Sequence, residues 1–258
     1  MIDTHTHLYL DDYLPDKCAA VDRALVAGVE MMILPGVDAG SIPQVRELHS
    51  LRPEVTAMCA GLHPTEVKED RADHLSAIEQ ELTTHAADYV AVGEVGLDLY
   101  WEQDKLPWQL EVLEAQLDLA DRLNLPIIVH CRSALPQMLD VVRGRRGHLP
   151  QMVFHCFGGT DKDVDAIRRE VEQPLFGIGG VVTFKKSTLP EVLPRIGINH
   201  IVLETDAPWL APVPHRGSTN ESAFLPHIAE RIALELKLTP DQVDSATTHN
   251  ARQCFRLS

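Results

Sequence analysis

Tyr89-Val-Ala-Val-Gly-Glu94, then the ladder Leu106, Leu110, Leu113, Leu117 and Ala120, then Pro126-Ile-Ile-Val-His130 make one complete strand, helix and strand unit. The ladder steps by four and three residues, which gathers its apolar side chains on one helical face. The flanking runs are short and almost wholly apolar, as strands covered on both faces are. Working outward from this unit, the same rhythm recurs to both ends of the chain. The strand candidates are Met1–His5, Met31–Pro35, Thr56–Leu62, Tyr89–Glu94, Pro126–His130, Met152–His155, Leu175–Gly179 and His200–Thr205. Ile228, Ile232 and Leu236 repeat the helical spacing, and Thr239-Pro240 starts a closing helix over Asp241–Phe255.

Eight alternating units predict an α/β fold of the (β/α)8 TIM-barrel type, a single domain over residues 1–258, with function at the C-terminal ends of the strands. A doubly wound open sheet is the alternative. It wants a glycine-rich phosphate turn after the first strand, and the chain has neither G-x-G-x-x-G nor a Walker lysine loop.

Composition narrows the function classes. A chain with 45% hydrophobic and 24% charged residues is a folded globular protein, not a disordered or fibrous one. The formal net charge of −15 argues against a broad basic face for nucleic acid, so local positive charge must come from elsewhere. No apolar run approaches the roughly 20 residues of a membrane-spanning helix, and no basic-then-apolar leader opens the chain. The expectation is a cytoplasmic protein with no membrane association and no obligate protein partner evident. Its five scattered cysteines, never paired as C-x-x-C, suit a reducing compartment better than a disulfide framework.

Ligand-type residues stand at the strand ends. In Asp3-Thr4-His5-Thr6-His7, extended residues two apart share a side, so His5 and His7 can converge on one ion. Glu94, His130, His155 and Asp206 each close a buried run. Burying so many titratable groups singly costs several kcal/mol each, on the order expected for uncompensated charge, and a metal pair compensates them directly. Independent core histidines are the bland alternative for any one of them. Cys131 and Cys156 follow proposed ligands, and alternation is expected to turn both away from the site, towards the helices. Glu204 shares the side of Asp206 and either supports the site or joins a buried ion pair. Asp98 either holds a ligand histidine or forms a turn.

With these residues in place, the chain resembles the TatD family of metal-dependent deoxyribonucleases, within the amidohydrolase-like barrels. The resemblance is carried by Asp3-x-His5-x-His7, Gly61-Leu-His63-Pro64, Gly93-Glu94-Val-Gly96-Leu97-Asp98, His130-x-Arg132, His155-Cys-Phe157-x-Gly159, Glu204-Thr-Asp206-Ala-Pro208-x-Leu210 and Asn250-x-Arg252-x-x-Phe255. It runs in order from residue 2 to residue 255. It implies two divalent ions per chain, magnesium, manganese or zinc, and hydrolysis of DNA phosphodiesters. It further implies that His5, His7 and Asp206 hold one ion, that His130 and His155 hold the other, and that Glu94 bridges them. Two departures stand out: Arg216-Gly-Ser-Thr-Asn220-Glu221-Ser222 replaces the family's Arg-Asn-x-Pro run, and Leu99 stands where many members carry an aromatic residue.

On this reading Asp206 and Glu94 are the catalytic carboxylates, with Asp206 accepting a proton from the attacking water. His63 and Arg132 point by position to the same mouth and can contact the phosphate; a capping histidine and a solvent-exposed arginine are their plainer roles. Gly158-Gly159 before Thr160-Asp161 offers either an anion-binding helix N-terminus or an ordinary loop and cap. A net charge of −15 and a narrow mouth favour attack on single-stranded ends of DNA. An amide or ester hydrolase, such as an aminoacyl-tRNA deacylase, and a non-catalytic metal-binding barrel are the competing functions.

Overall fold

The computed structural model describes residues 1–10, 16–145 and 147–257. In chain order these form β1 (Ile2–Asp3), α1 (Lys17–Val26), β2 (Met31–Leu34), α2 (Ile42–Leu51), β3 (Thr56–Ala60), α3 (Arg71–Thr84), β4 (Tyr89–Asp98) and α4 (Leu106–Leu123). They continue as β5 (Ile127–Arg132), α5 (Leu135–Gly144), β6 (Met152–Phe154), α6 (Asp161–Glu170), β7 (Leu175–Ile178), α7 (Leu189–Ile196), β8 (Ile201–Leu203), α8 (Leu225–Leu236) and α9 (Pro240–Phe255). The strands pair in parallel in sequence order. Backbone hydrogen bonds from Thr4 N–H to the Leu203 carbonyl (2.9 Å), from Asp206 N–H to that of His5 (2.9 Å) and from His7 N–H to that of Ala207 (2.7 Å) join β8 back to β1. The result is a (β/α)8 barrel, as the alternation of elements predicts. Among the described residues no helix is long and apolar enough to cross a membrane.

Strand pleating divides the apolar side chains into two cores. Ile2, Ile33, Ala57, Cys59, Ala91, Ile128, Val153, Leu175 and Val202 fill the barrel interior. Their neighbours, such as Val92, Val129, Phe154 and Leu203, face the helical ring. The interior needs a floor, and α9 supplies it: Ala251, Cys254 and Phe255 pack into the inner cluster. The Asn250 amide fixes the helix there by donating to the carbonyls of Ile198 (2.9 Å) and Ile201 (2.8 Å). The Asn250 and Phe255 of the terminal motif are therefore structural.

The same pleat carries the interior stripe upward. Asp206, beyond the end of β8 with φ +57°, reaches the mouth outside this pattern, whereas His130 lies two residues beyond Ile128, His155 two beyond Val153 and Glu204 two beyond Val202, so floor, core and mouth are one set of side chains read up the strands. β4 is the exception. Strict alternation from inward Ala91 would turn Glu94 out against the helices, but the β4–β5 register shifts between Val92 and Val95. The shift returns Glu94 to the interior, where it is 3% exposed.

Past the shift, β4 runs on to Asp98, four residues beyond the expected Glu94, because Gly96 lets it stay close to β5. Gly96 has φ +149°, and a Cβ there would lie 1.9 Å from the His130 carbonyl oxygen. Helix α4 holds the mouth loops by two glutamines seven residues apart on its buried face. Gln116 exchanges hydrogen bonds with the backbone of Leu62 (2.7 and 3.2 Å), and Gln109 with that of Asp98 (2.8 and 3.1 Å).

Two substitutions test this account of the frame. Phe255→Ala removes the floor of the inner cluster and is expected to cost about 3–5 kcal/mol in denaturant unfolding. Gly96→Ala should destabilise by more than about 2 kcal/mol, because the clashing atom is backbone. As a control, Gly144→Ala, in α5 with nothing near its would-be Cβ, should be neutral or slightly stabilising in the same denaturant unfolding.

Candidate active site

All six predicted ligand positions converge at the mouth, around the carboxylate of Glu94. Its Oε2 lies 3.1 Å from His5 Nε2 and 3.8 Å from His7 Nε2. Its Oε1 lies 2.9 Å from His130 Nδ1, 3.3 Å from His63 Nε2 and 3.6 Å from His155 Nε2. One oxygen therefore faces the β1 side and the other the β5–β6 side. Asp206 Oδ1 closes the ring, 3.9 Å from His5 Nε2, 3.8 Å from His7 Nε2 and 4.0 Å from His155 Nε2. Burial opposes a charge on Glu94, yet the imidazoles of His63, His155 and His5 and the hydrogen bond to His130 hold its carboxyl well below the usual range. Asp206, more open than Glu94 but desolvated by its surroundings and with a second carboxylate nearby, is pushed up to about 7.

The outer contacts decide which ring nitrogens face the centre. Tyr9 Oη donates to the Pro35 carbonyl (2.8 Å), so it must accept from His7 Nδ1–H (2.9 Å), which leaves the lone pair of His7 on Nε2. His130 Nε2–H donates to Asp98 Oδ2 (2.9 Å), turning Nδ1 to Glu94. Asp98 is thus the residue that holds a ligand-type histidine. His63 is oriented the other way: its Nδ1 accepts from the Thr65 N–H (3.2 Å), so Nε2 carries the proton that faces Glu94. The capping and site-facing roles of His63 coexist on opposite edges of one ring.

These residues suit divalent metal. His5 Nε2 and His7 Nε2 lie 3.0 Å apart, and burial, foremost, lowers the basicity of His5, His7 and His155. Neutral imidazoles aimed at a shared point beside ionised carboxylates are a ligand set for a borderline cation. Donor atoms of His5, His7 and Asp206 lie close enough together to hold one ion.

Below this layer Glu204 is fully buried. Its Oε1 accepts the Cys156 N–H at 2.6 Å and lies 3.2 Å from His155 Nδ1. Burial pushes its carboxyl up to about 7. Its room is made by Gly177, where a Cβ would come within 2.1 Å of Glu204 Oε2.

The Glu204 contact also corrects one expectation. Cys131 packs against the outer core as alternation requires, but β6 ends at Phe154, and Cys156 adopts φ +46°. That left-handed residue breaks the alternation and brings the Cys156 thiol to the site side, beside His155 and Asp206. The Gly158-Gly159 turn resolves to a capped helix. Thr160 N–H donates to Asp163 Oδ2 at 2.7 Å, so the start of α6 already has its own carboxylate.

Arg132 is exposed and lines a cleft of about 710 Å³ together with His130, His155, Cys156 and Asp206. The departing loop after β8 is tied down by Asn220, whose amide donates to the carbonyls of Thr205 (2.7 Å) and Trp209 (2.6 Å). Tyr9 and Gln109 escaped the sequence reading. The alternation His5, His7, Tyr9 and the seven-residue spacing of Gln109 and Gln116 were the available signals.

Comparison with known proteins shows the family and the fold. The family model of TatD related DNase matches residues 2–256. The Bacillus subtilis protein named uncharacterized metal-dependent hydrolase YabD is 33% identical over 100% of both chains. The 3'-5' ssDNA/RNA exonuclease TatD of Edwardsiella piscicida is likewise 33% identical over 100% of both chains. Among solved structures, the TatD homolog YjjV of Escherichia coli superposes with a TM-score of 0.92 at 27% identity, covering 100% of this chain and 98% of that one.

Tyr9→Phe should leave the fold intact and weaken retention of divalent ion, because His7 loses the partner that sets its tautomer. A loss of up to about tenfold to a hundredfold in manganese affinity, by titration calorimetry, is the expected size for such a supporting contact.

Proposed function

The chain belongs to the TatD family of metal-dependent hydrolases, enzymes acting on ester bonds, and on that premise we propose that it hydrolyses phosphodiester bonds of single-stranded DNA or RNA from an end. The observation that carries this reading is the convergence of His5, His7, Glu94, His130, His155 and Asp206 on one mouth. His5, His7 and Asp206 would hold one divalent ion and His130 and His155 the other, with the two oxygens of Glu94 reaching both sets. Relatives named as 3'-5' ssDNA/RNA exonucleases support the substrate class.

The chemistry that divalent ions would supply when held by these residues is a water of lowered pKa and positive charge opposite a phosphate. The chain's own groups supply the rest. Asp206, whose Oδ1 lies at the mouth 3.8 Å from His7 Nε2, is placed to accept the proton of the attacking water. His63 Nε2–H and the guanidinium of Arg132 donate to phosphate oxygens and hold the scissile group over the centre. Asp98 keeps His130 from rotating, and the buried carboxylates and imidazoles beneath leave the cleft as the water's route of entry.

Chelation should abolish cleavage of a single strand and add-back of manganese or magnesium should restore it; full activity in a metal-free sample rejects the mechanism. Glu94→Ala should lose bound metal and at least about a hundredfold in turnover. His49→Ala should match the parent, because His49 lies on α2 with its Nδ1 on Thr56 Oγ1. Metal affinity should climb with pH, since Asp206 at about 7 and His130 at about 9 release their protons when the ions bind. Calorimetry at pH 5.5 and 7.5 should differ by at least about tenfold in apparent affinity. Comparing linear strands, a closed single-stranded circle and a model ester separates end-directed nuclease, endonuclease and esterase.

A further inference from the structure

Beside the site, β4 ends at Asp98 and the chain turns through Tyr100 and Trp101. These rings are 53% and 65% exposed, among the most open large apolar side chains described. They meet edge to face with centroids 4.7 Å apart. The Arg132 guanidinium lies 4.1 Å over the Tyr100 ring and 5.5 Å from that of Trp101.

The backbone under them is firmly held. Asp98 Oδ1 accepts from both Tyr100 N–H (2.9 Å) and Trp101 N–H (2.8 Å). Fully buried Gln109 clasps Asp98 at N–H and carbonyl and also donates to the Glu102 carbonyl (3.0 Å). The other oxygen of Asp98 holds His130. One carboxylate therefore sets both the centre and an aromatic step at its rim, fixed in place yet open to water.

We infer that Tyr100, Trp101 and Arg132 form a stacking subsite for an unpaired nucleobase of the strand whose end enters the cleft. Trp101 presents its face to the base, and Arg132, stacked through its plane on Tyr100, keeps its N–H edge for the adjoining phosphate. This rests on the single-strand reading above and adds how the strand is gripped. The chemistry favours a base over an apolar protein side chain for two reasons. The step adjoins a phosphate-directed cleft and carries a cation, and a net charge of −15 argues against a broad basic groove of the kind through which other proteins track a backbone. Stacking supplies affinity without positive charge and without sequence preference. A duplex, its base faces already covered, gains nothing from it.

The test is equilibrium binding of a fluorescein-labelled phosphorothioate oligothymidylate, which resists hydrolysis, to the manganese-loaded protein. Wild type, Trp101→Ala and Trp101→Phe are compared, each also with the same backbone lacking bases, and cleavage of the unmodified strand is followed alongside. Trp101→Ala should bind the base-bearing strand about tenfold more weakly, Trp101→Phe should stay close to wild type, and the abasic strand should bind wild type and Trp101→Ala equally. Strand binding should quench indole fluorescence in wild type, and the Trp101→Ala change should remove that quenching. Equal binding of the base-bearing strand by wild type and Trp101→Ala, with cleavage intact, overturns the subsite and leaves the nuclease standing. Loss of affinity by Trp101→Ala for the abasic strand as well overturns base stacking in favour of general apolar contact. Binding that depends on Trp101 without any cleavage keeps the subsite and rejects the hydrolytic reading. No binding of either strand by wild type rejects both.

Discussion

An ionised carboxylate buried at the centre of a barrel is the constraint on which this structure turns. Glu94 is 3% exposed, and a charge so placed is expensive unless opposed. The opposition comes from the imidazoles of His5, His63, His130 and His155, reaching in from the ends of β1, β3, β5 and β6, with Glu94 itself on β4. No single helix or hairpin could bring them together. A closed ring of parallel strands can, because every strand end points to the same rim.

A second layer makes those rings useful. A histidine has two nitrogens, and only a fixed tautomer offers a defined donor to a cation or to a phosphate. Tyr9, Asp98 and Thr65 each fix one ring from behind, through a hydroxyl, a carboxylate and a backbone N–H. The directionality of the centre is therefore written in neighbours that never touch the space it encloses.

Much of this is legible in the chain itself. The eight buried runs and their intervening helical ladders announce the barrel, and the ligand-type residues stand where those runs end. What periodicity does not carry is any place where the pleat is broken. Glu94 faces inward only because register shifts in β4, and Cys156 reaches the site only because its backbone turns left-handed after β6. Strict alternation misplaces both. Spacing hints at Tyr9 and Gln109, but their partners, the Pro35 carbonyl and the Asp98 backbone, depend on which loop folds over which helix. Asn220 and Asn250 belong with them: each closes a gap between segments distant in the chain.

The pairing of Gly177 with Glu204 has a consequence for how such a protein can evolve. The space that the carboxylate fills exists only while residue 177 has no side chain. A larger residue on β7 meets the acid head-on, whereas shortening the acid alone leaves a hole and releases the turn that it holds at Cys156. Each change is tolerable only in the company of the other, so the two positions form an epistatic couple and lineages should cross between its states in paired steps.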